Sequence, residues 1–360
     1  SRGLGDVYKR QGQKWHLHGY IAFFGNIALM AFYTVVTGWI IYYFVRFLTG
    51  RTEDLGFVTM ITNPGVNVTY LAVTVIVAFS ILCFNLQGGL ERITKYMMTL
   101  LMVLMVVLAV HSATLSGAAE GLKFYLVPDF SKITGTVIVG AMNQAFFTLS
   151  VGMGSMAIFG SYIGKEQSLL GESANVIVLD TFVAIVAGLI MFPACYTYGL
   201  EVNAGPSLLF VTLPTILQDI PLGRLFAIIL YVAMIFAGVS SLQNMFEAVA
   251  ESLMHKFPRL SRTAVLVILC VVCLGFGIGM ETIDKWGPWM DLVSIYIIPI
   301  GATLGAISWF YVMKKDELLD AVNTGSGKLR GNLWYSVGRY VYVPLAVILC
   351  CVALFMHVAF

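Results

Sequence analysis

Two hydroxyls and two glycines lie in the middle of an apolar stretch, residues 141–162, that is long enough to cross a bilayer. Thr148 and Ser150 come just before Gly152 and Gly154. Glycine lets the backbone leave a helix, and N–H and C=O groups freed at that depth are tolerated only around a polar cavity. Broken helices of this kind mark binding sites in secondary transporters. The alternative is a continuous helix whose small residues allow close helix packing, and the stretch alone does not decide between them.

A carboxylate lies inside a second apolar stretch, at Asp180. Eight residues separate it from Glu172 in the preceding loop. That separation corresponds to about 12 Å of helix. An acid at this depth costs roughly 2.5 to 3.5 kcal/mol on insertion scales and therefore indicates a functional site. We interpret Asp180 as a cation ligand, and a structural hydrogen bond is the alternative.

Further polar groups occupy other apolar segments. Ser240 and Ser241 offer neutral oxygens, which hard cations prefer, although serine also packs helices together. Tyr33 lies midway along the first apolar segment, where a phenol needs a hydrogen-bond partner on a neighbouring helix or on a ligand. Asp291 places an acid near an outer mouth, where a solvated loop carboxylate is the alternative.

The composition indicates which elements must hold these groups. Hydrophobic residues make up 59% of the chain and charged residues 11%, with a mean hydropathy of +0.87. Ordinary domains carry about 25% charged residues, and about 20 apolar residues form one helical span. The chain is therefore predicted to be an all-α polytopic membrane protein. Nine stretches qualify as spans, at residues 19–45, 68–86, 97–115, 137–162, 174–198, 224–253, 264–280, 289–313 and 335–358.

The distribution of positive charge predicts an orientation. Most of the 21 Lys and Arg residues fall in alternate loops, on the same side as the N-terminal end of the chain. By the positive-inside rule that side is cytoplasmic. We therefore expect a multi-pass protein in the lipid bilayer of the cell inner (plasma) membrane, with this N-terminal end inside. A formal net charge of +2 is too small to indicate nucleic-acid binding.

Two other functional classes fit the polar residues less well. A membrane enzyme needs a nucleophile, a base and an acid that converge, whereas the polar groups inside the spans are hydroxyls, amides and Asp180 without a nearby histidine. A channel needs a continuous polar stripe, whereas here the polar residues cluster at mid-depth on three spans. We therefore expect a transporter, and no enzyme.

Several motifs together are specific enough to indicate a family. They are Phe-Phe-Thr-Leu-Ser-x-Gly-x-Gly at Phe146–Gly154, Gln144 upstream of it, Ser161 and Tyr162 downstream, Ala237-Gly238-x-Ser240-Ser241, and the loop 120–129. They resemble the neurotransmitter:sodium symporter family, in its bacterial amino-acid-transporting branch, and the first motif is similar to that family's unwound sixth helix. The resemblance implies the leucine-transporter fold, which is an inverted repeat.

The resemblance covers the chain after Lys14. It implies a cytoplasmic segment at residues 1–16, whose start need not be native, and a transporter domain at residues 17–360. The nine spans would then be the family's third to eleventh helices, with the first two helices absent from this chain.

The resemblance also implies the roles of individual residues. The substrate-binding residues would be Leu29, Tyr33, Phe147, Ser150, Met153, Ser241 and Met245. Two sodium sites are implied, the first from Thr148 and Asp180, the second from the carbonyl of Ala237 with Ser240 and Ser241. The gates would be Gln144 and Asp291 on the outer side and Tyr162 on the inner side.

Asp180 departs from the family pattern, because many relatives have asparagine at this position. A fixed negative charge there implies that chloride is not required. The implied substrate pocket is apolar, with methionines that can reshape around different side chains. We therefore expect sodium-coupled symport of a neutral, hydrophobic or aromatic amino acid by alternating access. A proton-coupled or exchange-type amino-acid transporter of a related fold is the alternative, and the oligomeric state stays open.

Overall fold

Helices make up most of the part of the protein whose structure is described. The computed structural model describes residues 16–52, 56–83, 87–152, 160, 163–200, 202, 208–280 and 283–356. Its α-helices are α1 His16–Thr49, α2 Phe57–Ile61, α3 Pro64–Cys83, α4 Gln87–Ala113, α5 Ala118–Leu126, α6 Gly135–Thr148, α7 Leu169–Tyr198, α8 Leu213–Asp219, α9 Gly223–Lys256, α10 Arg262–Gly279, α11 Ile283–Asp291, α12 Ile298–Ile307, α13 Lys315–Asn323, α14 Asn332–Val337 and α15 Val343–Met356. Short π-helical segments lie at Leu208–Thr212, Leu292–Ile297, Ser308–Val312 and Gly338–Tyr342.

Eight helical stretches within the described residues are long and apolar enough to cross a membrane. Each overlaps one of the predicted spans, and they are Gly19–Thr49, Pro64–Leu82, Thr94–Ala113, Leu169–Tyr198, Gly223–Lys256, Arg262–Gly279, Lys285–Val312 and Asn332–Phe355. The remaining predicted span, residues 137–162, contains α6, and α6 ends at Thr148. The all-α prediction is therefore confirmed. The predicted span at residues 137–162 is the one that does not run as a single long helix.

Contacts divide the chain into two compact units. The break unit, which contains α6, falls within Ser1–Leu29, Ser131–Thr181 and Pro288–Phe360. The aromatic unit falls within Met30–Phe130 and Phe182–Gly287. Three helices, α1, α7 and α11, contribute residues to both units.

The break unit is built around α12. This helix packs against α15 and α6, and α15 packs against α6 in turn. Val139 of α6 lies in one apolar cluster with Leu349 and Ala353 of α15. The Thr303 hydroxyl of α12 donates to the Ala346 carbonyl at 3.2 Å. This hydrogen bond satisfies a buried hydroxyl and fixes the register of α12 on α15.

The aromatic unit is built around α9, which packs against α3, α4, α8 and α10. Its interior contains rings whose polar atoms have partners. The indole N–H of Trp39, a side chain only 1% exposed, donates to the Asn67 side-chain oxygen at 2.7 Å. The Tyr43 hydroxyl donates to the Phe210 carbonyl at 2.8 Å. Large buried rings, two of them with satisfied polar groups, make this unit a well-packed scaffold.

A short helix covers the first part of the loop 120–129. It is α5, and it lies directly on the second half of α7. A Cβ added to Gly121 would come within 2.6 Å of Pro193 Cα, so only glycine permits this approach. Just before α5, the Ser112 hydroxyl donates to the Ile190 carbonyl at 2.6 Å. The end of α4 and the whole of α5 are therefore fixed to α7.

Candidate functional site

The helix α6 stops in the middle of the motif that suggested a break. Its first turn is capped by the Thr134 hydroxyl, which accepts a hydrogen bond from the Val137 amide. Its last residue is Thr148, and the chain then turns with Ser150 at φ 53° and Gly152 at φ 90°. Backbone in this left-handed region cannot continue a right-handed helix. Of the two alternatives that the sequence left open, the broken helix is the correct one.

The break brings two of the predicted sodium ligands together. The Thr148 hydroxyl, at the C-terminal end of α6, donates to the Asp180 carboxylate at 2.7 Å. Asp180 lies in the first half of α7 and is partly buried. The contact joins a neutral oxygen to a charged one beside a helix end that carries partial negative charge. Such an oxygen set suits a hard cation.

A second pair of predicted site residues meets in the aromatic unit. Tyr33 of α1 and Ser241 of α9 are joined by a side-chain hydrogen bond. The two helices approach closely nearby, because a Cβ added to Gly238 would lie 3.1 Å from the Thr37 side chain. Thr37 in turn donates its hydroxyl to the Tyr33 carbonyl at 2.9 Å. The buried phenol that the sequence left with two possible partners therefore has one on a neighbouring helix.

The predicted second sodium site lies on α9 beside that contact. Ala237 and Ser241 are four residues apart and Ser240 is their neighbour, so all three lie on one side of the helix. Each is partly buried, as is Met245 one turn after Ser241. Small residues with hydroxyl oxygens thus line one face of a long continuous helix.

The other predicted residues occupy three elements of the break unit. Leu29 of α1 is buried, next to the point where the Trp289 indole N–H donates to the Ala28 carbonyl at 3.0 Å. Phe147 and Ser150 are partly buried at the break. The two predicted outer-gate residues are the exposed Gln144 on α6 and the partly buried Asp291, which ends α11. Met153 and Tyr162 lie outside the described residues.

No three His, Cys, Asp or Glu side chains cluster as a metal site within the part of the chain that the structure describes. The oxygens that do meet at the break are one hydroxyl and one carboxylate. Transition metals favour nitrogen and sulfur ligands, whereas oxygen ligands suit hard ions. The arrangement therefore suits a hard cation.

Comparison with known proteins identifies the family of this chain. A sequence model of the Sodium:neurotransmitter symporter family matches residues 51–359. The chain belongs to this family. It is therefore a sodium-dependent transporter and not an enzyme, and with eight candidate spans among its described residues it is a multi-pass membrane protein.

Two bacterial relatives of this symporter are sodium-dependent transporters. YhdH, an uncharacterized sodium-dependent transporter of Bacillus subtilis (strain 168), is 34% identical over 373 residues, which cover 96% of this chain and 81% of the relative. An uncharacterized sodium-dependent transporter of Haemophilus influenzae is 29% identical, and the alignment covers 95% of this chain and 80% of the relative. Sodium dependence is thus the property that the names of these relatives share.

A solved structure supports the fold of the symporter. The crystal structure of MhsT in complex with L-phenylalanine matches with a TM-score of 0.89 and 30% identity, covering 98% of this chain and 84% of that chain. The resemblance to the neurotransmitter:sodium symporter family and the leucine-transporter fold that it implied are both confirmed. The individual site residues stay predictions.

Proposed function

We propose that this symporter couples sodium entry to the uptake of a neutral, hydrophobic or aromatic amino acid by alternating access. The observation that carries the proposal is the 2.7 Å hydrogen bond from the Thr148 hydroxyl to the Asp180 carboxylate at the end of the broken helix. A hydroxyl and an intramembrane carboxylate held together at a helix end are the groups that a sodium ion needs.

The proposal includes two sodium sites. The first would be formed by Thr148 and Asp180, beside the C-terminal end of α6, which carries about half a negative elementary charge. The second would be formed by the Ala237 carbonyl with the hydroxyls of Ser240 and Ser241. Asp180 gives the first site a permanent negative charge, so this transporter would not require chloride.

The substrate would be an amino acid with an uncharged, apolar side chain. Tyr33 is held by Ser241, and its phenol would donate to the substrate carboxylate. Leu29, Phe147, Met153 and Met245 would then surround the side chain, with Ser150 beside the backbone of the substrate. A charged side chain in such surroundings would be unpaired, at a cost of several kcal/mol. The relative MhsT was solved with L-phenylalanine, which agrees with this class.

The coupling is energetically sufficient. One charge that moves through 100 mV releases about 2.3 kcal/mol, and 1.4 kcal/mol corresponds to a factor of about ten in concentration. A single sodium ion could therefore sustain a substrate gradient of about fifty. In this proposal the basic loops face the cytoplasm from the inner (plasma) membrane. Gln144 and Asp291 would gate the outer side, and Tyr162 the inner side.

The test is uptake of labelled leucine into proteoliposomes that contain the full-length protein. An inward sodium gradient should drive uptake, and a potassium gradient of the same size is the control. A proton gradient or internal counter-substrate that replaced sodium fully would instead favour the proton-coupled or exchange-type alternative.

Competition tests the substrate class in the same vesicles. Unlabelled tryptophan, methionine and phenylalanine should compete with labelled leucine. Glutamate and lysine should not, because each would carry an unpaired charge into the pocket. Competition by glutamate or lysine equal to that by leucine would rule out the proposed pocket.

A further inference from the structure

The turn that follows α6 touches α12 backbone to backbone. A Cβ added to Gly152 would lie 2.3 Å from the Ala302 amide nitrogen and 2.7 Å from the Ile298 carbonyl oxygen. A Cβ added to Gly301 would lie 2.3 Å from the Gly152 carbonyl oxygen. Real Cβ atoms do not approach other heavy atoms closer than 3.0 Å. Both partners of this contact therefore have to be glycine.

The helix α12 cannot move aside to accept a side chain at Gly301. Ile298, Ala302 and Ala306 on this helix are 1%, 2% and 4% exposed, so their surroundings are packed. The Thr303 hydroxyl also holds α12 to the Ala346 carbonyl of α15. Because packed interiors transmit strain, a clash at Gly301 should displace the turn and leave α12 in place.

The turn passes such a displacement on to Thr148. It is short and internally hydrogen-bonded, since the Ser150 amide donates to the Phe147 carbonyl at 3.0 Å and the Val151 amide to the Phe146 carbonyl at 2.9 Å. Thr148 lies between these donors and acceptors and makes the 2.7 Å hydrogen bond to Asp180. Binding sites must be held to within about 0.5 Å of the productive geometry.

We propose that Gly301 is a positioning residue of the first sodium site: its missing side chain lets α12 hold the end of α6 where Thr148 meets Asp180. This inference rests on the proposed function, because it assigns sodium to that pair. Gly301 itself would not touch sodium or substrate. Its effect would pass through Gly152 and the turn.

The direct test is Gly301→Ala in the full-length protein. The sodium concentration for half-maximal binding of labelled leucine should rise about tenfold, which is the effect of a moderate overpacking strain. The melting temperature in detergent is measured beside it. Gly135→Ala, at the other end of α6, is the matched control because its added Cβ would meet nothing within 4 Å. This control should leave the sodium dependence unchanged.

A second variant covers the case that Gly301→Ala does not fold. Thr303→Val removes the hydrogen bond to Ala346 and keeps the side-chain volume. It should loosen α12 and raise the half-maximal sodium concentration about threefold, the effect expected for one hydrogen bond. Sodium dependence equal to that of the parent in both folded variants would overturn the proposal.

Hydrogen–deuterium exchange separates this proposal from the proposed function. Amides of the peptide 146–152 should exchange faster in Gly301→Ala than in the parent and in Gly135→Ala, whether or not leucine binding can be measured. If Asp180→Asn weakens sodium activation while Gly301→Ala changes neither sodium dependence nor exchange, the sodium assignment stands and the role of Gly301 is wrong. If the exchange changes but Asp180→Asn has no effect, Gly301 positions the turn and the sodium assignment is wrong.

Discussion

The break at the end of α6 and the contact between α1 and α9 both join predicted site residues, but they do so with different backbones. At the break the chain leaves the helix, and a hydroxyl meets a carboxylate. Between α1 and α9 both helices are continuous, and two neutral hydroxyls meet. A charged ligand set thus coincides with irregular backbone, whereas neutral contacts are built on regular helices. We expect loss of the charge at the break to alter sodium affinity, and loss of the Tyr33 phenol between α1 and α9 to alter substrate affinity.

The largest effect is expected for Asp180→Asn. Loss of the charge should raise the sodium concentration for half-maximal uptake about a hundredfold, because interactions with charged groups are worth about 1.5 to 3 kcal/mol. Chloride should then stimulate uptake, since it could restore the missing negative charge. The measurement is leucine uptake as a function of sodium, with and without chloride.

Glu172→Gln is the control for that change. Glu172 is an exposed acid in the first turn of the same helix, so its neutralisation should leave sodium activation unchanged. An Asp180→Asn variant with the sodium dependence of the parent would reduce Asp180 to a structural role.

Tyr33→Phe should affect the substrate and not sodium. Loss of the phenol removes the proposed donor to the substrate carboxylate, so KM for leucine should rise about tenfold, as expected for a hydrogen bond to a charged group. Tyr43→Phe on the same helix is the comparison. Its hydroxyl donates a hydrogen bond to the Phe210 carbonyl inside the aromatic unit, so this change should lower the melting temperature with little change in KM. Equal KM values for the two variants would contradict the role given to Tyr33.

Thr148 offers a smaller test of the break. Thr148→Val keeps the shape and removes the hydroxyl, so sodium activation should weaken about fivefold, because loss of one neutral oxygen ligand costs about 1 kcal/mol. Thr148→Ser keeps the hydroxyl and should stay close to the parent. Equal sodium dependence in the valine and serine variants would show that the hydroxyl is not a ligand.

Trp39→Phe should have the smallest effect on transport. It leaves the buried side-chain oxygen of Asn67 without its indole donor, which should cost about 1 to 3 kcal/mol of stability. Thermal unfolding in detergent would report this loss. Sodium half-activation and KM should stay unchanged in the protein that remains folded, and a large change in either would mean that the scaffold and the sites are not separable in this way.

The sequence predicts the helices well because each span needs a long apolar run. The break was harder, since Ser, Thr and Gly suit both an interrupted helix and close helix packing. The left-handed φ angles of Ser150 and Gly152 distinguish the two, and the fit of Gly152 against α12 that accompanies them is a tertiary property. Gly301 gave no signal at all for the same reason, because a glycine in an apolar span has no local pattern that indicates a contact.

Other features were out of reach for related reasons. Asn67 lies just outside the predicted second span, and its pairing with Trp39 joins residues 28 positions apart. The π-helical segments depend on which hydrogen bonds a helix finds after packing. Thr148 and Asp180 were paired by resemblance, and nothing in their spacing of 32 residues requires the contact.

The two left-handed positions of the break have different freedom to change during evolution. At position 152 the backbone of α12 leaves no room for a side chain. Ser150, in contrast, bears a side chain at φ 53°, which costs a conformational strain of roughly 1 kcal/mol. Position 150 can therefore be exchanged for other residues that tolerate this conformation, such as asparagine or glycine, while the break persists. A library randomised at both positions and selected for folded protein should return several residues at 150 and glycine alone at 152. The backbone of the break would then stay constant through Gly152, while substitutions at position 150 could change the substrate preference.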